Sequence, residues 1–298
     1  MMVLKGINIP GLGGERLIKR DVIIKSGVYW AVLDPSDAGS YAGIKVIPCE
    51  GSVILPAFID PHVHVREPGF DHKEDWTTCS RAALKGGVSA IMDMPNNKTP
   101  VDNYQGVKDK IKIAMTKSYV DFGVYIALTD SNADKLCEPG IQESVCGVKI
   151  YLSKTTGNIN VSSPAALVKV FNQPRPVLVH TGGHDGLEKI LYFYNKAAGK
   201  FSDLPILYIC HVSTVSEIDL LKKWKRKYPS IMAEVTPHHL FLNRDDYKGL
   251  PGVLPPLAGK RDVDALWESV RDGTVDIVGT DHAPHTWAEK KGQNPPAG

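Results

Sequence analysis

Beyond residue 50 the chain alternates between short runs of apolar, largely β-branched residues and longer amphipathic stretches. The runs SVILPAFID, VSAIMDM, YVDFGVYIAL, CGVKIYL, RPVLVH, PILYICHV, SIMAEV and VDIVGTD lack the apolar-polar alternation of a half-exposed sheet, so each reads as a strand buried on both faces. Most are separated by segments of helical length. In TVSEIDLLKKWKRKY, Val215, Ile218, Leu221 and Trp224 recur every third residue behind a Ser213 or Thr214 cap, which predicts a helix with one buried stripe. Eight strands alternating with helices predict an α/β fold, a (β/α)8 barrel of the TIM type rather than an open doubly wound sheet. Residues 1–50 have another rhythm. Pieces such as DVIIKSGVYWAVL and GIKVIPC, punctuated by Gly, Pro and Ser, predict hairpins of a small N-terminal β-layer and a domain division into 1–50 and 51–298. After the eighth run only HAPHTWAEKKGQNPPAG follows, so the final barrel helix and the strands that would complete the β-layer are expected to be missing from this chain.

Composition narrows the classes of function. With 35 basic and 33 acidic residues the net charge is +2, which argues against a nucleic-acid partner and makes KKWKRK the solvated face of a helix. The five cysteines contain no CxxC pair and suit a reducing compartment. No apolar run approaches the ~18 residues of a membrane span, and the N-terminus does not read as a signal peptide. The expectation is a cytoplasmic protein acting on small molecules or other proteins.

Barrel enzymes of this type carry their chemistry at the carboxyl ends of the strands. His62 and His64 follow the first predicted strand, Lys149 lies late in the fourth, His180 ends the fifth, His211 the sixth and Asp281 the eighth, so all six should converge on one mouth. Imidazole nitrogens and a carboxylate suit zinc. The His-x-His spacing puts two imidazoles on one side of an extended segment, where both can grip one cation. Lys149, between Val148 and Ile150, is expected to be desolvated, which favours the neutral amine; a neutral amine can add carbon dioxide to form a carbamate, a ligand able to bridge two metals. Arg66, two residues beyond His64, points to the same mouth with a planar fork suited to a carboxylate. His238 and His239 read as packing groups or as supports for a ligand, His72 and His184 as loop residues, and Cys210 as a buried strand cysteine.

The ordered motifs HVHVREPG, MPNN, GVKIYL, VLVH, ICHVS, TPHHLFL and TDHAPHTWAEK resemble those of the dihydroorotases of the amidohydrolase superfamily, most closely the dihydroorotase domain of animal multifunctional pyrimidine-synthesis proteins. The resemblance covers residues 50 to 298. It implies a zinc-dependent enzyme interconverting N-carbamoyl-L-aspartate and L-dihydroorotate, with two Zn2+ per site bridged by carboxylated Lys149. His62 and His64 then hold the more buried metal, His180 and His211 the other, and Asp281 binds metal and shuttles a proton. Arg66 and Asn96 grip the substrate carboxylate, His285 is a further substrate contact, and Thr155 belongs to a loop that closes over substrate. Self-association and pyrimidine-pathway partners such as aspartate transcarbamoylase are part of the same expectation. The alternatives are another cyclic amidohydrolase, an allantoinase or dihydropyrimidinase, and an inactive barrel that scaffolds a partner.

Overall fold

The protein is described from a computed structural model, which covers residues 1–11, 16–37, 39–153, 159–247 and 252–298. It falls into two compact units, residues 1–57 and 58–298.

The first unit is a four-stranded sheet made of β1 (Met2–Pro10), β2 (Leu17–Lys25), β3 (Val28–Leu33) and β4 (Lys45–Pro48), ordered β3-β2-β1-β4. β2 and β3 form a tight hairpin. Lys25 pairs with Val28, and the two residues between them, Ser26 and Gly27, both have positive φ, as the twist of a two-residue hairpin loop demands. β4 joins the other side of β1 in parallel, a pairing no tight turn can make, so the expectation of hairpins throughout holds only for β1 to β3.

The second unit carries eight parallel strands: β5 (Phe58–Val63), β6 (Val88–Asp93), β7 (Asp121–Ala127), β8 (Gly147–Tyr151), β9 (Val177–His180), β10 (Leu207–Ile209), β11 (Ile231–Val235) and β12 (Ile277–Val278). They pair in sequence order. A parallel bridge between Val63 and His282, with the His64 amide donating to the His282 carbonyl at 2.8 Å, joins the last segment to the first. The barrel predicted from the apolar runs is therefore present. The helices are α1 (Trp76–Lys85), α2 (Tyr104–Lys117), α3 (Pro139–Ser144), α4 (Pro164–Lys169), α5 (His184–Ala198), α6 (Val215–Lys227), α7 (Pro237–Phe241), α8 (Lys260–Arg271) and α9 (Trp287–Lys290). α6 starts at Thr214, whose side chain caps the Glu217 amide while Glu217 reaches back, and it buries Ile218 and Leu221 as its periodicity requires. None of the described helices is long and apolar enough to cross a membrane.

One boundary differs from the sequence reading. The run Ser52–Asp60 is not a single strand: Val53 bridges to Asn8 within the first unit, and the barrel strand begins only at Phe58. Pro56, which has no N–H to give a ladder, lies between the two pairings. β5 consequently runs on through His62, which sits inside the strand rather than after it.

The alternation of side chains along each strand sorts the core into two layers. Val148, Ile150, Val177, Val179, Leu207, Ile209, Ala233 and Val235 face the helices in one large cluster. Leu178, Tyr208, Cys210 and Tyr125 fill the barrel interior, with Met232 packed against them. By the same period of two, Lys149 and Glu234 point into that interior. Both are fully buried.

Candidate active site at the barrel mouth

His62, His64, Arg66, Asn96, Lys149, His180, His211 and Asp281 line one pocket of about 290 Å³, together with Tyr151 and Leu254. Every candidate named from the sequence except Thr155 and His285 is thus on its wall; Thr155 lies outside the described residues, and His285 packs on Arg66. Such a volume suits a small ring rather than a polymer.

Asp281 stands at the centre of the donors. Its Oδ1 is 3.2 Å from His62 Nε2 and 2.9 Å from His64 Nε2, and the two rings are 5.4 Å apart, so the His-x-His spacing does bring both imidazoles to one oxygen. Across the pocket His180 Nδ1 and His211 Nε2 are 2.9 Å apart, and the other nitrogen of His180 meets the Ser153 hydroxyl at 2.8 Å. Lys149 Nζ lies 2.9 Å from Cys210 Sγ. The Asn96 carboxamide oxygen accepts from His64 Nδ1 at 2.6 Å, which leaves Nε2 of that ring as the lone-pair nitrogen facing Asp281.

The strand-end geometry is strained where it delivers these groups. Among the described non-glycine residues four have positive φ, and three of them are Arg66 (73°), His211 (38°) and Asp281 (49°). Asp281 is not the end of a strand, as its sequence position suggested: β12 stops at Val278, and the following turn swings the carboxylate inward. Gly279 makes that approach possible, since a Cβ there would lie 2.7 Å from Glu234 Oε2 and 3.2 Å from His62 Cβ.

Glu234 is the functional group that sequence reasoning passed over. Its carboxylate spans His62 Nδ1 at 2.9 and 3.0 Å, accepts from the Tyr208 hydroxyl at 2.6 Å and takes the His211 amide at 2.9 Å, so it orients two of the histidines at once. The signal was available: one acid inside the apolar run SIMAEV has no reason to be in a buried strand unless several donors meet it. Cys210 is buried in the barrel interior as its sequence position predicts, and its sulfur also lies with His62 and Glu234 in a donor group whose atoms are within 4.8 Å of one another; His62, His64 and Asp281 form a second such group.

The charge states suit cation binding. Burial, against the pull of Asp281, holds His64 down at about 4, and burial with the nearby Lys149 charge takes His180 to about 3, so both offer lone pairs at neutral pH. His211 is driven well down by burial, and its buried Nδ1 has no hydrogen-bond partner. Burial also opposes charge on His62, but Glu234 and Asp281 outweigh it and hold the ring well above the usual histidine range. Asp281 is held well below the usual carboxylate range because the charge on His62 outweighs its desolvation. Once the proton on His62 is displaced, four imidazoles, two carboxylates and a thiol make a donor set that fits a borderline-soft divalent cation.

At the pocket rim Arg66, only 3% exposed, is fixed by Nε donating to the Pro284 carbonyl at 3.1 Å and by its NH2 group 3.1 Å from His285 Nε2. The Lys73 ammonium approaches the other nitrogen of the same ring at 3.0 Å. Burial and these two cations hold His285 down at about 4. The Glu289 charge and a backbone hydrogen bond with Ala297 act on the same ring in the opposite direction. Buried His239 bonds to the Thr236 hydroxyl and the Pro255 carbonyl, whereas the buried Nε2 of His238 has no hydrogen-bond partner among the described residues.

A family model for the amidohydrolase family matches residues 53–296. The chain belongs to the amidohydrolase family. Among its amidohydrolase relatives are a dihydroorotase of Methanosarcina acetivorans, 34% identical over 280 residues, covering 82% of this chain and 60% of that protein, and the multifunctional protein CAD of Squalus acanthias, 35% identical over 251 residues, covering 82% of this chain and 11% of that protein. A dihydroorotase of Caldanaerobacter subterraneus is 32% identical over 332 residues, covering 98% of this chain and 72% of its own length. This amidohydrolase chain thus spans about three fifths of the archaeal protein and a ninth of the multifunctional one. Solved amidohydrolase barrels share the fold at low identity: a D-hydantoinase structure superposes with a TM-score of 0.83 at 20% identity, covering 100% of this chain and 73% of the other, and an L-hydantoinase from Arthrobacter aurescens with 0.82 at 20%, covering 97% and 71%.

Proposed function

We propose that this chain is a metal-dependent dihydroorotase, opening the ring amide of L-dihydroorotate to N-carbamoyl-L-aspartate and closing it in reverse. The observation behind this reading is the pairing, in one small pocket, of a cation-binding donor set with a rim of Arg66, Asn96 and His285 that calls for an anion. A carboxylate in the pocket would meet the buried guanidinium of Arg66, a positive charge fixed at the rim by the Pro284 carbonyl and His285. An uncharged cyclic amide offers those groups only neutral carbonyl acceptors, with no charge to match Arg66.

Two cations of the zinc class would be held by His62, His64 and Asp281 and by His180 and His211, with Lys149, as its carbamate, between them. When bound they supply Lewis-acid polarisation of the amide carbonyl and an activated water. Asp281 accepts the proton of the attacking water and returns it to the ring nitrogen as that atom leaves. Asn96 fixes the tautomer of His64, Glu234 that of His62, and Arg66 holds the substrate by a carboxylate remote from the reacting bond. Thr155 would close over bound substrate. Its five free cysteines agree with a reducing, cytoplasmic setting. Pathway partners such as aspartate transcarbamoylase, and self-association, belong to the same reading, since one relative is a multifunctional chain.

Metal analysis and turnover of purified protein test it. The expected result is bound zinc, hydrolysis of dihydroorotate, and Lys149→Ala protein that loses cation and activity together and regains part of the activity with short carboxylic acids in solution. Preferred hydrolysis of uncharged hydantoins or dihydropyrimidines, or full cation content in Lys149→Ala, would overturn the reading.

A further inference from the structure

We propose that Glu74, Cys79 and His282 form a separate binding site for a thiophilic divalent cation of the zinc class. The ligating atoms of the three lie within 4.8 Å of one another, and His282 Nε2 is already 2.8 Å from Glu74 Oε2. Tetrahedral zinc, with bonds of about 2.0 to 2.3 Å, sets its ligand atoms ~3.3 to 3.8 Å apart, so the sulfur and the other two donors need close by no more than about 1.5 Å. One nitrogen, one sulfur and one oxygen are a three-ligand zinc set. The His282 side chain is 41% exposed while Cys79 is buried, which leaves one side open for water and for entry.

The donors stand on elements that cannot drift apart. Cys79 is in the first turns of α1, whose start is locked by the capping box of Asp75 and Thr78, and Glu74 immediately precedes that cap. His282 is held through its backbone: its amide donates to the Thr280 hydroxyl oxygen at 3.0 Å, and its carbonyl accepts from the His64 amide at 2.8 Å. The local field is suitable as well. Burial first, then Glu74, Asp93 and Asp60, hold the Cys79 thiol in its protonated form; the negative charge that resists a thiolate attracts a cation able to displace the proton. Arg66 is the opposing positive charge facing His282. No residue is shared with the donors around Asp281, so the site stands whether or not the proposed activity is right.

Titrating the chelator-treated full chain with cobalt(II) reads the site directly, because a thiolate ligand gives a near-ultraviolet charge-transfer absorption. Cys210→Ser removes the central thiol and serves as the background. In it, cobalt should still raise the thiolate absorption, zinc should quench it and magnesium should not. Adding Cys79→Ser should abolish the absorption and lower cation content by one per chain. Glu74→Gln, which keeps the thiol and guards against a folding failure of the cysteine variant, should weaken binding by at least roughly 10-fold, the lower bound found even for groups that only support a ligand. Absence of the absorption in the Cys210→Ser background, or its persistence after Cys79→Ser, overturns the proposal; so does unchanged affinity in Glu74→Gln.

Discussion

Replacing Glu234 by glutamine changes almost nothing in shape and nearly everything in hydrogen bonding. Three donors converge on the carboxylate: His62 Nδ1 at 2.9 Å, the Tyr208 hydroxyl at 2.6 Å and the His211 amide at 2.9 Å. A glutamine offers one acceptor oxygen, and its NH2 group then faces a donor. One bond to a charged acceptor is lost, about 1.5 to 3 kcal/mol, and one buried donor goes unpaired, about 1 to 3 kcal/mol more, so the cation-free protein should lose roughly 2.5 to 6 kcal/mol. A urea titration should show this as a lower midpoint at unchanged slope. Cation affinity should fall roughly 10- to 100-fold, as for other groups that orient a ligating histidine. The pH dependence gives a second readout. Glu234 and Asp281 hold a proton on His62 above the usual histidine range, and a cation must displace it, so wild-type affinity should climb as pH rises toward that raised value. With the Glu234 charge gone the proton is held less tightly, and the climb should flatten. Calorimetric titration with zinc at several pH values measures both effects. Wild-type affinity and an unchanged pH slope in Glu234→Gln would refute the role assigned to this acid.

Arg66→Met should raise KM for dihydroorotate, with a loss in kcat/KM worth about 2 to 5 kcal/mol, the range for removing one partner of a buried charge pair; steady-state kinetics with an unchanged KM would contradict it. Asp281→Asn should lower kcat more than any other single change, since ligand and proton carrier go together; near wild-type turnover would assign the proton to another group. Lys110→Met strands the Asp93 carboxylate, which Lys110 pairs with at 2.6 Å in a fully buried setting, and should destabilise the barrel by about 3 to 5 kcal/mol in urea; a change under 1 kcal/mol would mean that the pair is solvated.

The barrel was legible because parallel strands buried on both faces leave unbroken apolar runs, and because chemistry gathers at one end of them. The six donors from His62 to Asp281 could be named for the same reason. What escaped was set by geometry that runs carry no trace of. Ser52–Asp60 looks continuous, yet it serves two sheets, one through Val53 and the other from Phe58. Glu234 stood out as a lone acid in an apolar run, but its partners did not: only the closing of the barrel brings it and Cys210 under His62 and Lys149. The tie from His285 to Arg66 joins residues 219 positions apart, which no spacing rule reaches.

The positive φ angles at Arg66, His211 and Asp281 bear on how this chain can change over generations. Each such angle costs an L-residue on the order of 1 to 3 kcal/mol, a burden that glycine would escape. At all three positions the replacement that relaxes the backbone is also the one that deletes a working side chain. Selection for thermal endurance alone would therefore favour glycine at these three corners and lead to a tougher and inert barrel.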